Sequence, residues 1–226
     1  MLPKELTSQI RHAFLQNLIP GIFLWIIAIT ICFSYYFAPS AQPVFEAVAT
    51  LKVKYGIVYS SCATALFGGL IPFLYFLLTK QTGKSPVAEL TFYLLFWGMK
   101  GIEVDLFYRL QGIIFGTDNS ISTVFIKTLV DQGFYAPFWA VPTIAIAYLY
   151  KESGFKIKSC LAQVDRRFIT LTIPTIVLSN MIVWLPSVTI IYLMPPNLQV
   201  PLFNLVQCFF ALLLNILGKK SANNSD

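Results

Sequence analysis

The chain has 226 residues, of which 57% are apolar and only 12% are charged, about half the charged fraction usual in a soluble domain. So few charges could not cover the outside of a soluble fold, and so many apolar residues exclude a disordered or collagen-like chain. With a mean hydropathy of +0.71, the composition indicates a protein that crosses a membrane several times. Each charge within the lipid then needs a physical reason.

The apolar segments, taken in chain order, predict helices that are long enough to span a bilayer. A hydrocarbon core of about 30 Å needs about 20 apolar residues, and helices satisfy the backbone hydrogen bonds that lipid cannot. We therefore predict an all-α fold, a polytopic transmembrane bundle of about six helices in a single domain. The predicted spans are residues 18–38, 56–78, 86–115, 121–150, 168–194 and 200–217, between tails at residues 1–17 and 218–226.

The distribution of basic residues predicts that both termini lie on the cytoplasmic side. With the N-terminus inside, most lysines and arginines fall in inner segments, and the outer loops hold only Lys52 and Lys54. This asymmetry follows the positive-inside rule. The net charge of +6 then indicates contact with anionic lipid headgroups on the cytoplasmic face, and no binding of nucleic acid.

The third and fourth spans carry most of the remaining charges. Asp105 and Arg109 are spaced i,i+4, as are Lys127 and Asp131, so the members of each pair share a helix face. A hairpin around Asp118 would bring both pairs to a similar depth and join them in one network towards the outer side. The predicted pore or polar-network residues are Glu103, Asp105, Arg109, Lys127, Asp131 and Gln132.

Two interpretations of this network stay open at the level of sequence. Paired charges could hold helices together at the interface, or they could line an aqueous path that selects ions or small solutes by charge. An enzyme is not expected, because the only histidine, His12, lies in the N-terminal tail and no catalytic motif is present. No metal site and no cofactor are predicted, since the cysteines are scattered without ligand spacing.

The fourth span resembles a known family. Residues 127–137, KTLVDQGFYAP, are similar to the K…DQ…P signature of the peroxisomal membrane protein of twenty-two kilodaltons and its mitochondrial relatives, the Mpv-seventeen family. Gly101 with residues 107–110 (FYRL) resembles the stretch that precedes this signature, and Trp184 with Pro186 resembles the stretch that follows it. The chain departs from the family at Ile102 and Asp105, where the family has proline and histidine.

The resemblance implies a small helical bundle with both termini on one side of a bacterial inner membrane or of an organelle membrane, mitochondrial inner or peroxisomal. It also implies a weakly selective channel for small solutes, linked to metabolite and redox balance. The signature residues of this chain are Gly101, Tyr108, Arg109, Lys127, Asp131, Gln132, Pro137, Trp184 and Pro186.

The predicted function is therefore that of an integral membrane protein of the channel or transport type. The alternative is a structural or assembly protein that transports nothing and whose intramembrane charges hold its helices together. The expected partners are the lipid bilayer, a small-molecule or ion permeant and, as a homo-oligomer, further copies of the chain.

Overall fold

A computed structural model describes the backbone of residues 2–223 and the side chains of residues 17–213. Residues 1 and 224–226, at the far ends of the predicted tails, lie outside the described residues. The helices are α1 (Leu2–Phe37), α2 (Gln42–Thr64), α3 (Ile71–Leu78), α4 (Pro86–Phe115), α5 (Ile121–Val130), α6 (Val141–Glu152), α7 (Ile157–Leu161), α8 (Ile173–Leu193) and α9 (Pro196–Asn223).

Three π-helical segments make continuous rods out of several of these helices. Ala65–Leu70 joins α2 to α3, Asp131–Ala140 joins α5 to α6, and Phe168–Thr172 leads into α8. A 3-10 turn, Pro39–Ala41, separates α1 from α2. No strand occurs between residues 2 and 223, so the predicted all-α class is confirmed.

Four helical stretches of the described chain are long and apolar enough to cross a bilayer: Asn17–Phe37, Pro39–Leu78, Phe168–Leu193 and Pro196–Leu213. They indicate a membrane-embedded protein. The rods α4 and α5–α6 are longer than three of these stretches but carry the charged residues of the predicted network. The six spans and the cytoplasmic termini therefore stay predictions.

The second helical rod begins well before the predicted second span. The glycine at the predicted start, Gly56, has φ +54° and ψ −124°, a conformation that favours glycine, and it kinks a helix that has already started at Gln42. The prediction that Lys52 and Lys54 lie in an outer loop is wrong, because both lie on α2. Gly56 is therefore a bend inside the rod and not its boundary.

Glycines let α4 pack closely against the rod formed by α2, Ala65–Leu70 and α3. A Cβ atom on Gly101 would overlap the carbonyl oxygen of Ser60 and lie 2.6 Å from Oγ1 of Thr64. Further along the rod, a Cβ atom on Gly69 would lie 2.9 Å from the carbonyl oxygen of Tyr93. The helix α4 therefore has one face fixed against α2 and its π-helical continuation. Elsewhere in the bundle, α1 packs along α8, and α9 packs against α1 and α2.

Candidate functional site

A cavity of about 470 Å³ runs lengthwise between α3, α4, the α5–α6 rod, α8 and α9. On α4 it is lined by Tyr93, Trp97, Lys100, Val104 and Tyr108. These positions recur every three or four residues, so they form one helix face that is about 22 Å long at 1.5 Å per residue. The cavity is therefore an elongated channel-like space along the axis of the bundle.

The two ends of the cavity differ in exposure. At one end the wall includes Gln81 and Glu152, which are exposed and lie beside the loops that follow α3 and α6. At the other end the wall is formed by Tyr108, Asp131 and Val188, all of them buried. The cavity is thus open at the loop end and closed at the deep end.

The deep end holds a carboxylate with neutral hydrogen-bond donors. The hydroxyl of Tyr192 donates to Oδ2 of Asp131 at 2.7 Å, and Nε2 of Gln132 donates to Oδ1 at 2.9 Å. The Tyr192 hydroxyl in turn accepts a hydrogen bond from Nε2 of Gln111 at 2.5 Å. Asp131 is only 4% exposed, and no base among the described residues forms an ion pair with it.

The predicted pairing of Lys127 with Asp131 is wrong. Lys127 is 2% exposed, and its ammonium lies 5.7 Å from the centre of the Tyr192 ring, without an ion pair to any described acid. The regular helix α5 ends at Val130, and a π-helical segment begins at Asp131. The backbone between the two residues is still α-helical, since the N–H of Asp131 donates to the carbonyl oxygen of Lys127. The side chains separate because Tyr192 and Gln132 hold the Asp131 carboxylate, whereas the Lys127 ammonium lies over the Tyr192 ring.

Glu103 belongs to a separate group of polar side chains. Lys100 donates to its two carboxylate oxygens at 2.8 and 3.0 Å and to Oγ1 of Thr143 at 2.7 Å. The hydroxyl of Tyr135 donates to the same carboxylate at 2.5 Å. Of these residues, Lys100 and Tyr135 line the cavity. The charge that Lys100 brings to the cavity wall is therefore balanced by Glu103.

A third group, the α2–α4 ion-pair network, consists of Lys52, Asp105 and Arg109. Nζ of Lys52 lies 2.8 Å from Oδ1 of Asp105, and both side chains are 4% exposed. Arg109 forms the predicted i,i+4 pair with Asp105, at 3.1 Å, but is itself 52% exposed. Lys52 also donates to Oγ of Ser60 at 2.7 Å. None of the three lines the cavity, so they hold α4 to α2 on another face.

The prediction of one joined network is therefore wrong. The three acids of the predicted network are divided among the Lys100 group, the α2–α4 ion-pair network and the deep end of the cavity. Glu103 and Asp105 lie on different faces of α4, and Asp131 lies on the π-helical segment after α5. The predicted residues Asp131 and Gln132 face the cavity, whereas Glu103, Asp105, Arg109 and Lys127 do not. Sequence reasoning missed the role of Lys52 and the contribution of Tyr192.

The remaining residues that carry the resemblance have mainly packing roles. Trp184 lines the cavity, with its ring 5.6 Å from that of Phe203 and 5.8 Å from that of Phe210. Pro137 lies inside the π-helical segment, where the missing N–H of proline is accommodated by an irregular turn. Pro186 lies inside α8. The ring of Tyr108 packs 5.1 Å from that of Tyr192 at the deep end.

Asp118, the acid at the centre of the predicted hairpin, lies in the loop between α4 and α5. Its carboxylate accepts hydrogen bonds from the backbone of Ser120 at 3.0 Å and from Oγ1 of Thr123 at 3.1 Å. The hydrogen bonds from Ser120 lower the pKa of Asp118, and the bond from Thr123 adds to this effect. The acid is exposed and is not part of the cavity wall, so it serves the loop and the start of α5.

Within the described residues, no group of three or more histidine, cysteine or acidic side chains could hold a metal ion, and Cys32, Cys62, Cys160 and Cys208 are free thiols. Comparisons of the chain with protein-family models, curated proteins and solved structures found no match. The resemblance to the Mpv-seventeen family therefore stays a prediction.

Proposed function

We propose that this chain is a multi-pass membrane protein that binds a small solute or ion in the cavity and moves it across the bilayer. The observation that supports this proposal is Asp131, a buried carboxylate in the wall of a cavity of about 470 Å³, held by neutral donors only. The resemblance to the Mpv-seventeen family implies the same class of function and a bacterial inner or organelle membrane.

Asp131 differs from Asp105 and Glu103 because no base among the described residues forms an ion pair with it. Asp105 has Lys52 and Arg109 as partners, and Glu103 has Lys100. A carboxylate in a membrane protein is costly to bury, and an acid that faces a cavity without a base is typical of a substrate or ion pathway. Helix attachment accounts for Asp105, whereas the hydrogen bond from Tyr192 on α8 does not explain why Asp131 lies in the cavity wall without a base.

The closed deep end favours a gated path over a permanently open pore. The gate layer, Gln111 and Tyr192, is buried and linked by hydrogen bonds to Asp131. A solute that reaches Asp131 from the open end has to break the Tyr192–Asp131 hydrogen bond before it can pass. Conformational steps of this kind control many transport and catalytic cycles.

The proposed topology has six spans, with α4 and the α5–α6 rod completing the four apolar helices. The connecting segments at the open end of the cavity carry Lys80, Lys84, Lys156 and, on the short helix α7, Lys158. Connections rich in lysine favour the cytoplasmic side. The mouth of the cavity then faces the cytoplasm, and the gate layer faces the opposite side.

Flux into proteoliposomes tests the proposal. Purified wild-type chain should pass ions or small metabolites, and Asp131→Asn should change the rate or the charge selectivity because it removes the carboxylate from the path. The matched control is Asp118→Asn, which alters an acid outside the cavity and should leave flux unchanged. A folded wild-type protein that passes no solute, together with an Asp131→Asn variant that alters only the yield, would show the proposal to be wrong.

A structural or assembly role is the second candidate, and the α2–α4 ion-pair network favours it. Lys52 and Asp105 are buried away from the cavity and fix two helices to each other. If Asp131 had the same role, its substitution would lower stability and leave any flux unaltered. The flux measurement on Asp131→Asn therefore separates the two candidates.

A further inference from the structure

The geometry of the deep end points to a ligand class: we infer that the cavity binds an organic cation, an amine with an aromatic or aliphatic body, with Asp131 as its counter-ion. This inference rests on the proposed function for its view of the cavity as a solute site. The volume of about 470 Å³ lies within the range of about 300–1,000 Å³ that is usual for small-molecule sites. An inorganic ion alone would leave most of that space unfilled.

The charges of the cavity wall leave an acid unbalanced at the deep end. The charged residues of the wall are Lys100, Asp131, Lys151 and Glu152. Lys151 and Glu152 lie at the open end, where Lys151 donates to the Tyr93 hydroxyl at 3.2 Å. Asp131 remains as the buried charge of the described wall that no ion pair neutralises. A cation bound beside it would gain a favourable partner in a water-poor site.

Away from Lys151 at the open end, the lysines of the cavity and of its surroundings do not offer a site for an anion. An ammonium has three hydrogens to donate, and those of Lys100 are taken by the two oxygens of Glu103 and by Thr143. Lys127 is not part of the wall, and its ammonium lies 5.7 Å from the centre of the Tyr192 ring. An anionic ligand would therefore lie beside the Asp131 carboxylate without a buried lysine in the wall that has a free hydrogen to donate to it.

Aromatic rings surround the same end of the cavity. Tyr108, Tyr135 and Trp184 all line the wall, and packing holds each of them in place. The Tyr135 ring stacks on Phe107 at 4.0 Å, and the Tyr108 ring lies 5.1 Å from that of Tyr192. Aromatic faces attract ammonium groups and also pack against the body of an organic ligand. A carboxylate within aromatic walls suits an amine better than a sugar or an anion.

A series of ligands with the same body tests the inference. Tryptamine, tryptophol and indole-3-propionate share an indole and differ in a positive, neutral or negative head. Competition against radiolabelled tryptamine, on the purified full chain in detergent, should place tryptamine at least about tenfold tighter than the other two. Asp131→Asn should weaken tryptamine by about 10- to 100-fold and remove the preference, as expected for a lost hydrogen bond to a charged group.

Two further variants keep the test decisive if Asp131→Asn does not fold. Asp131→Glu keeps the charge and should keep the preference for tryptamine, and Asp118→Asn should bind like the wild type. If Asp131→Asn does not fold, the head-group series on the wild type and on Asp131→Glu still decides the question. Equal binding of tryptophol and tryptamine, or a preference that survives in folded Asp131→Asn, would overturn the inference.

The inference and the proposed function fail in different ways. Asp131-dependent binding of tryptamine without any flux into proteoliposomes would contradict the proposed function and support the ligand class. Flux of neutral or anionic solutes, with no binding of tryptamine, would contradict the ligand class and support the proposed function.

Discussion

Removal of Lys52 should destabilise the bundle, because it leaves a buried carboxylate with a weaker partner. Lys52 and Asp105 are both 4% exposed and 2.8 Å apart. Breaking a buried pair by removing one partner costs about 3–5 kcal/mol. In Lys52→Met, Asp105 keeps its two hydrogen bonds from Arg109, so the cost should be about 3 kcal/mol, at the low end of that range. In Asp105→Leu, the ammonium of Lys52 keeps only Ser60 and the carbonyl of Gly56, so the cost should be about 5 kcal/mol, at the high end.

The double variant Lys52→Met with Asp105→Leu separates the interaction energy of the two side chains from the cost of removing either one alone. Replacing a whole buried pair by apolar residues is often neutral, so the double variant should lie within about 1 kcal/mol of the wild type. Arg109 tolerates the change because it is 52% exposed and can reach polar surroundings. Lys54→Met is the matched control, since Lys54 is an exposed lysine on the same helix and should change stability by less than about 0.5 kcal/mol.

The assay is reversible unfolding in mixed micelles of dodecyl maltoside and sodium dodecyl sulfate, followed by tryptophan fluorescence. The free energies of unfolding of the two single variants, the double variant and the control form a complete cycle. A cost below about 1 kcal/mol for Lys52→Met would refute the reasoning. A double variant less stable than both single variants would also refute the reasoning, because removing the second side chain would then bring no compensation for the loss of the first.

Three other changes have defined outcomes. Gly101→Ala should cost about 1–3 kcal/mol, because its Cβ atom overlaps the backbone of α2, whereas Gly133→Ala, with open space around it, should be nearly neutral in the same unfolding assay. Tyr192→Phe removes a hydrogen bond from Asp131, so flux in proteoliposomes should rise as the gate layer loosens, and unchanged flux would argue against a gate there. The Asp118 carboxyl should titrate below its usual value in NMR; since its pKa is lowered in the folded chain, the loop contacts are present at neutral pH and are lost as the pH falls through that pKa.

The helices could be predicted well where length and hydropathy decide the structure. The helix α4 has the bounds of the predicted third span, because a proline at its first position and Gly116 after its end mark both termini in the sequence. The start of α2 could not be found in this way. Residues 42–55 are too polar to be recognised as part of a span, and the glycine that follows them has the appearance of a helix boundary.

The partners of the charged residues could not be predicted from spacing within one helix. Local spacing gave the Asp105–Arg109 pair, but the main partner of Asp105, Lys52, lies on another helix and 53 positions away. A signal was present in the sequence, since an acid in a predicted span requires a base and Lys52 lay just before the predicted second span. The partner of Asp131, Tyr192, had no such signal, because a neutral hydroxyl carries no charge to be matched.

The arrangement of α4 places a helix-fixing ion-pair network and the wall of the cavity on different faces of one helix. On one face, Gly101 and the α2–α4 ion-pair network fix α4 to α2, so these helices form a stable unit. On another face, α4 lines the cavity opposite the α5–α6 rod, whose middle is π-helical from Asp131 to Ala140. A π-helical turn is an irregular and often functional element. We therefore expect a conformational change in this segment and not in the α2–α4 unit. Charges that hold α4 to α2 would then provide the fixed surface against which the segment that begins at Asp131 moves when the gate layer opens.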